Sequence, residues 1–290
     1  MFTALRCLSR RSWGFLHALG ATLGWLGYAF SSGYRRRVDA HAALAGITAR
    51  DRRASVAQAG RMVAELPRLW LRERGAALQP PVQWQHAELI ERALDAGQGL
   101  LMLTPHLGAF EVIAQAYAER FGARQPMTAL YRPARQAWLR ELETTARDRP
   151  GLLTAPASLA GVRQMIRALR RGQTVGLLPD QVPPDGMGVW APFFGRPAYT
   201  MTLGSRLALQ TGAAVLLTVC ERLPQAVGWR IGVFELPEPL PAAAAFAGDD
   251  IAHQTECAAV MNRAMEFLIR QCPAQYLWGY NRYKPPRAQT

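Results

Sequence analysis

Short apolar runs alternate along this chain with longer segments of helical periodicity, and that alternation constrains the fold more than any other feature. Apolar runs at 100–103, 127–131, 174–178, 214–220 and 230–236 read as strands. Between and after them, 111–120, 135–147, 159–171, 201–211 and 251–271 carry apolar residues at helical spacing. Strands that alternate with helices imply an α/β fold, a sheet covered by helices on both faces. The segment 159–171 shows the signals most fully. Ser158 stands as N-cap, Leu159, Val162, Ile166 and Leu169 share one face, and Arg170-Arg171 precede Gly172. Upstream, Thr48-Ala49-Arg50-Asp51 resembles a capping box ahead of Val56, Ala59, Val63, Leu66 and Trp70, with Pro67 expected to break or kink that helix. Pro80-Pro81 marks a linker before a further helix at 86–96.

In such sheets, ligands gather beyond the carboxyl ends of the strands. Thr104-Pro105-His106-Leu107-Gly108-Ala109-Phe110-Glu111 follows the first apolar run and passes into a helix. Histidine titrates near neutrality and a carboxylate fixes its tautomer, so His106 and Glu111 suit a general base with an orienting partner. A helix-capping histidine beside an unrelated surface glutamate fits the same spacing, which leaves both readings open. Tyr131-Arg132 ends the next strand, where an arginine fork suits phosphate or carboxylate, or is a solvated charge. Leu177-Leu178-Pro179-Asp180-Gln181 repeats the arrangement with an acid and an amide. Asp180 fits either a group that holds a substrate hydroxyl or orients Arg132, or a turn residue ahead of Pro183-Pro184. The aromatic stretch Gly188–Pro197 reads as a loop, either a wall for an apolar ligand or plain packing.

Charge and composition narrow the function classes. Half the residues are hydrophobic and 19% are charged, which excludes an intrinsically disordered chain. Lys+Arg exceeds Asp+Glu by 34 − 21 = 13, which points to anionic partners such as a phospholipid surface, a phosphorylated substrate or an acidic carrier protein. Nucleic acid is not an expected partner, because the arginines are scattered and no nucleic-acid-binding module is present. Nor does a G-x-S-x-G elbow occur, so a serine hydrolase is not expected. Cys7, Cys220, Cys257 and Cys272 have neither C-x-x-C nor zinc-ligand spacing, and read as small hydrophobes in a reducing compartment. No metal is expected.

From Ser12 to Tyr34 there is no charged residue, and the stretch is flanked by Arg6, Arg10 and Arg11 and by Arg35, Arg36 and Arg37. Trp13, Trp25 and Tyr28 are side chains that favour a membrane interface. Residues 1–34 are therefore expected to be a membrane-anchoring segment, a spanning helix or one lying in the interface, with residues 35–290 as the soluble domain. A signal peptide, with a poor cleavage site at Ala29-Phe30-Ser31, and a buried helix are the competing readings.

The His106–Glu111 pair within His-Leu-Gly-Ala-Phe-Glu resembles the H-x4-D/E motif of glycerolipid-type acyltransferases. The ordered set around it is similar to the bacterial late acyltransferases of lipid A biosynthesis, the lauroyl and myristoyl transferase family. That set is Tyr131-Arg132, Pro179-Asp180-Gln181, Pro192-Phe193-Phe194-Gly195-Arg196, Thr200, Thr211-Gly212-Ala213, Pro273–Trp278 and Arg282-Tyr283-Lys284. The family often has asparagine where Ala109 stands and His-Arg where Tyr280-Asn281 stand. The resemblance implies a central mixed, mostly parallel sheet flanked by helices, preceded by a hydrophobic membrane helix. It implies transfer of an acyl chain from acyl carrier protein or acyl-CoA to a hydroxyl of a lipid A precursor or another membrane lipid. His106 and Glu111 would be catalytic, and Gly108, Arg132, Asp180 and Gln181 substrate-binding, with backbone amides near Gly108 stabilising the oxyanion. No cofactor is implied, and the place is the bacterial inner membrane with the catalytic domain facing the cytoplasm and an anionic leaflet.

Overall fold

Strand β2 (Leu100–Leu103) shows how this chain builds its core. All four residues are buried, and they divide by parity: Leu101 and Leu103 belong to one apolar cluster, Leu100 and Met102 to the other. A strand with no solvent-facing side needs helices on both faces. The structure is a computed structural model that describes residues 2–131, 136 and 149–288. In chain order the helices that precede β2 are α1 (Phe2–Ser9), α2 (Trp13–Phe30), α3 (Ser32–Leu44), α4 (Ala49–Trp70) and α5 (Glu88–Ala96), with strand β1 (Gln83–Gln85) ahead of α5. After β2 come α6 (Phe110–Phe121), β3 (Met127–Tyr131), β4 (Leu152–Pro156), α7 (Leu159–Arg170), β5 (Thr174–Leu177), β6 (Gly188–Phe193) and β7 (Arg196–Met201). The chain closes with α8 (Leu203–Thr211), β8 (Ala214–Arg222), β9 (Trp229–Glu235) and α9 (Asp250–Gln271).

Seven strands form one sheet in the order β1-β9-β8-β2-β5-β3-β4, in which only the β8–β9 pair is antiparallel. Helices α7, α8 and α9 cover one face through Met165, Leu169, Leu207, Met265 and Leu268, and α5, α6 and the end of α4 cover the other through Ile90, Val112, Tyr117 and Trp70. The expected mixed, mostly parallel α/β architecture is therefore present. Both predicted caps form. Thr48 Oγ1 accepts from the Asp51 N–H at 3.1 Å, and Ser158 Oγ from the Gly161 N–H at 3.4 Å.

Four expectations change. Helix α4 is not broken at Pro67 but continues to Trp70. The aromatic stretch from Gly188 is not a loop but the antiparallel hairpin β6–β7, and α8 begins at Leu203 because Met201 still pairs with Gly188. Phe194 (φ 46°) and Gly195 (φ 75°) make its two-residue turn, a conformation that matches strand twist. Cys7 is exposed rather than buried. The helix expected at 135–147 lies outside the described residues.

The amino-terminal segment is the largest correction. No helix among the described residues is long and apolar enough to cross a membrane. Helix α2 instead runs antiparallel along α4, with Gly24 against Val56, Gly20 against Gly60 and Arg61, and His17 against Glu65. Glycines permit that contact: a Cβ on Gly60 would lie 1.9 Å from the Gly20 carbonyl oxygen. Trp13 is drawn into the domain, where Nε1 donates to the Gln79 carbonyl at 2.7 Å and the ring meets Trp229 edge-on at 4.9 Å. Phe15, Leu23, Trp25, Leu26 and Phe30 remain exposed on the helix's other side. Gly60→Ala is expected to destabilise the protein by about 1–3 kcal/mol, because backbone rather than a flexible side chain occupies the space. Thermal unfolding measures this, and an unchanged midpoint would show that the two helices part at no cost.

Candidate active site

The ladder between β2 and β5 places the central pair. Leu100 to Leu103 pair in parallel with Thr174 to Leu177, and the Thr104 N–H extends the ladder to the Leu177 carbonyl at 3.2 Å. Both strands then run on through x-Pro, as Leu103-Thr104-Pro105-His106 and Leu177-Leu178-Pro179-Asp180. His106 and Asp180 thus stand level at the carboxyl edge of the sheet. His106 Nδ1 lies 2.7 Å from Asp180 Oδ1, and the His106 backbone N–H donates to Oδ2 at 3.0 Å. The carboxylate accepts at both oxygens, so Nδ1 carries a proton and Nε2 is the nitrogen left to act as a base. The His106 side chain is 20% exposed and Asp180 3%, which leaves the imidazole as the accessible member. Phe110 meets the ring edge-on at 4.9 Å.

Burial by itself would raise the Asp180 pKa, but the adjoining His106, with the Arg282 guanidinium further off, holds it below the ordinary carboxylate value. Arg282 is itself fixed, with Nη1 donating to the Tyr199 carbonyl at 2.6 Å and Nη2 to Thr200 Oγ1 at 2.7 Å. Burial and the Asp180 charge push the neighbouring Tyr276 phenol well above its usual value, so it stays protonated. Asp180 is therefore an ionised carboxylate set behind the imidazole, an arrangement suited to taking a proton at Nε2 and stabilising the imidazolium that results.

The other expected site residues are distributed differently. Glu111 was the expected orienting partner of His106, but Asp180 holds Nδ1, while Glu111 Oε2 accepts from Trp70 Nε1 at 3.2 Å. The pairing of β2 with β5 brings Asp180 to the ring's inner nitrogen. Gly108 has no backbone amide to offer an oxyanion, since its N–H donates to the Gln275 carbonyl at 3.0 Å. The Ala109 N–H is likewise taken by the Cys220 carbonyl at 2.9 Å. These bonds tie the turn to β8 and to the segment that follows α9. Gln181 is half-buried directly after Asp180. Arg132 lies outside the described residues.

Two groups of the family set had been given no place in the site. Arg282 and Tyr276 flank Asp180 from the carboxyl-terminal segment. The matched Leu-x-Pro-His and Leu-x-Pro-Asp strand ends were the visible sign that His106 and Asp180 pair.

A family model described as bacterial lipid A biosynthesis acyltransferase matches residues 3–285 of the chain. The lipid A biosynthesis palmitoleoyltransferase of Escherichia coli (strain K12) is 28% identical over 196 residues, 67% of this chain and 59% of that protein. The lipid A biosynthesis acyltransferase of Shigella flexneri is similar to the same extent, 28% over 196 residues. The lipid A biosynthesis lauroyltransferase of Escherichia coli (strain K12) is 29% identical over 188 residues, 64% of this chain and 56% of that protein. The similarity thus spans less than two thirds of the length of these relatives.

Proposed function

Because this chain belongs to the bacterial lipid A biosynthesis acyltransferase family, we propose that it transfers a fatty acyl chain from an acyl thioester to a hydroxyl of a lipid A precursor. The observation that carries the reading is the His106–Asp180 pair, 2.7 Å apart at the carboxyl edge of the sheet. A lipid hydroxyl is a poor nucleophile near neutral pH. His106 Nε2 takes its proton as the oxygen attacks the thioester carbonyl, the C–O bond forms, and the C–S bond breaks. The proton then passes from the imidazolium to the departing thiolate, which leaves an ester, a thiol and a neutral histidine. The thioester is already activated, so no acyl-enzyme is required. Asp180 stays ionised throughout and orients the ring. Glu111, held by Trp70 one turn away, is a second carboxylate on the acceptor side, and Arg132 an anion-binding group for the acceptor's phosphate.

The carrier of the thioester is an acyl carrier protein, attracted by the chain's net charge of +13. The same charge holds the domain against the anionic inner leaflet of the cytoplasmic membrane, while residues 1–34 attach it there. Phe15, Leu23, Trp25, Leu26 and Phe30, exposed on one side of α2, form an apolar face suited to lying in the headgroup layer.

The test is transfer in mixed micelles from a radiolabelled acyl-carrier thioester to a purified lipid A precursor, with the product weighed by mass spectrometry. The expected product is heavier by one acyl chain and releases one equivalent of free carrier thiol. A folded protein that acylates neither this precursor nor any other lipid hydroxyl would refute the reading. Transfer only to a glycerolipid would keep the chemistry and replace the acceptor.

A further inference from the structure

A buried ion pair behind the His106 turn has no part in the chemistry above. Arg222, the last residue of β8, is 2% exposed, and Glu65 of α4 is 1% exposed. They form a two-point fork, Nε to Oε1 at 2.7 Å and Nη2 to Oε2 at 2.8 Å. Desolvation consumes most of what such a pair gains, so buried pairs are weak contributors to stability unless further hydrogen bonds complete them.

Here further bonds complete the pair and tie it to Gly108. Nη2 of Arg222 also donates to the Gly108 carbonyl at 3.2 Å, and Nη1 to Gln58 Oε1 at 2.9 Å. Gln275 accepts the Arg222 backbone N–H at 2.9 Å, returns a bond from Nε2 to the Arg222 carbonyl at 2.9 Å, and through its own carbonyl holds the Gly108 N–H at 3.0 Å. Both polar groups of Gly108 therefore end in the Arg222–Gln275 network. The turn has little slack, since Gly108 sits at φ 60° and a Cβ there would meet the Cys220 carbonyl oxygen at 2.0 Å. Two residues before it stands His106. The network reaches outward as well, for Glu65 Oε1 lies 2.6 Å from His17 Nε2 on α2.

We propose that Arg222 is a positioning residue for His106, acting through the Gly108 carbonyl, and that Glu65 and His17 extend this support to α2. The inference rests on the reading of His106 as the base. Helix α2 is then part of the catalytic unit as well as its attachment. Gln58 and Glu65, two turns apart on one face of α4, are the brackets on which the guanidinium is mounted.

Arg222→Lys tests the proposal, because an ammonium keeps the charge beside Glu65 yet cannot span Glu65, Gln58 and Gly108 together. The folded variant is expected to lose between about tenfold and a hundredfold in kcat, as misplacement of a catalytic group does. KM for the acyl thioester stays within about twofold, since binding is untouched. Independently of acyl transfer, amide exchange at Gly108 quickens and the His106 ring resonances move in a nitrogen-15 spectrum. His17→Ala, on a partly exposed position, produces a smaller change of the same kind, and Glu65→Gln serves if Arg222→Lys fails to fold. A lowered melting temperature with unchanged kcat, Gly108 exchange and His106 resonances would assign the network to stability alone and overturn the proposal. Altered exchange and resonances in a protein whose wild type transfers no acyl chain would uphold the positioning and refute the acyltransferase reading instead.

Discussion

His106→Ala is expected to lower acyl transfer by about 10²–10⁴-fold, the usual contribution of a placed general base. The loss falls on kcat, because the imidazole acts on the acceptor proton and not on the acyl chain or the headgroup. Steady-state kinetics with a labelled thioester separates the two constants. Removal of the ring also leaves Asp180 Oδ1 without its 2.7 Å partner in a buried place, so some stability is lost with it. Assays therefore belong well below the variant's melting temperature, with His106→Gln as a second variant that refills the space without supplying a base. Unchanged kcat in either folded variant would remove His106 from the chemistry.

Asp180→Asn is expected to cost about 10²–10⁴-fold in kcat by a different route, loss of the productive tautomer. Asp180 now accepts from both the His106 ring and the His106 backbone N–H. An amide in its place has a single acceptor oxygen. With that oxygen on the backbone N–H, the amide N–H₂ faces the ring and drives the proton from Nδ1 to Nε2, the nitrogen that must accept. Nitrogen-15 chemical shifts of His106 report the tautomer directly. They are expected to invert in Asp180→Asn and to persist in Glu111→Gln, since Glu111 is hydrogen-bonded to Trp70. Inversion in Glu111→Gln alone would return the orienting role to Glu111. The same variant changes acid stability. The folded pKa of Asp180 lies below its ordinary value of 3.8. Its ionised form therefore contributes stability fully above that value, and the contribution fades as pH falls through the lower folded value. Acid unfolding of the wild type below about pH 4 is thus expected to be steeper than that of Asp180→Asn, as circular dichroism during titration measures.

The α/β class was legible because buried strands such as Leu100–Leu103 and helices such as Leu159–Arg170 have unlike periods, and local spacing survives folding. Residues 188–197 misled because prolines and aromatics in β6 suggested a loop. Only the pairing with β7, a property of two segments together, makes Gly188–Phe193 a strand. The same limit governed the site. His106 and Asp180 each stood out singly as polar residues beyond apolar strands, yet spacing along the chain favoured Glu111, five positions on. Asp180 is 74 positions away and becomes the neighbour only once β2 and β5 are known to pair. Helix α2 failed for a physical reason of another kind. Its glycines look like a loss of hydropathy in a membrane segment, whereas in the fold they are the surface along which Gly20 and Gly24 meet α4.

The level ends of β2 and β5 have a consequence for how such a site tolerates change. His106 and Asp180 hang on arms of equal length, three residues past paired leucines. One residue removed from a single arm shifts its tip by about 3.3 Å and turns its side chain to the opposite face. No rotamer recovers a hydrogen bond across that displacement. The pair is therefore a vernier, sensitive to the difference between the arms and indifferent to what they share. Bending or twisting of the sheet carries both tips together and leaves the alignment intact.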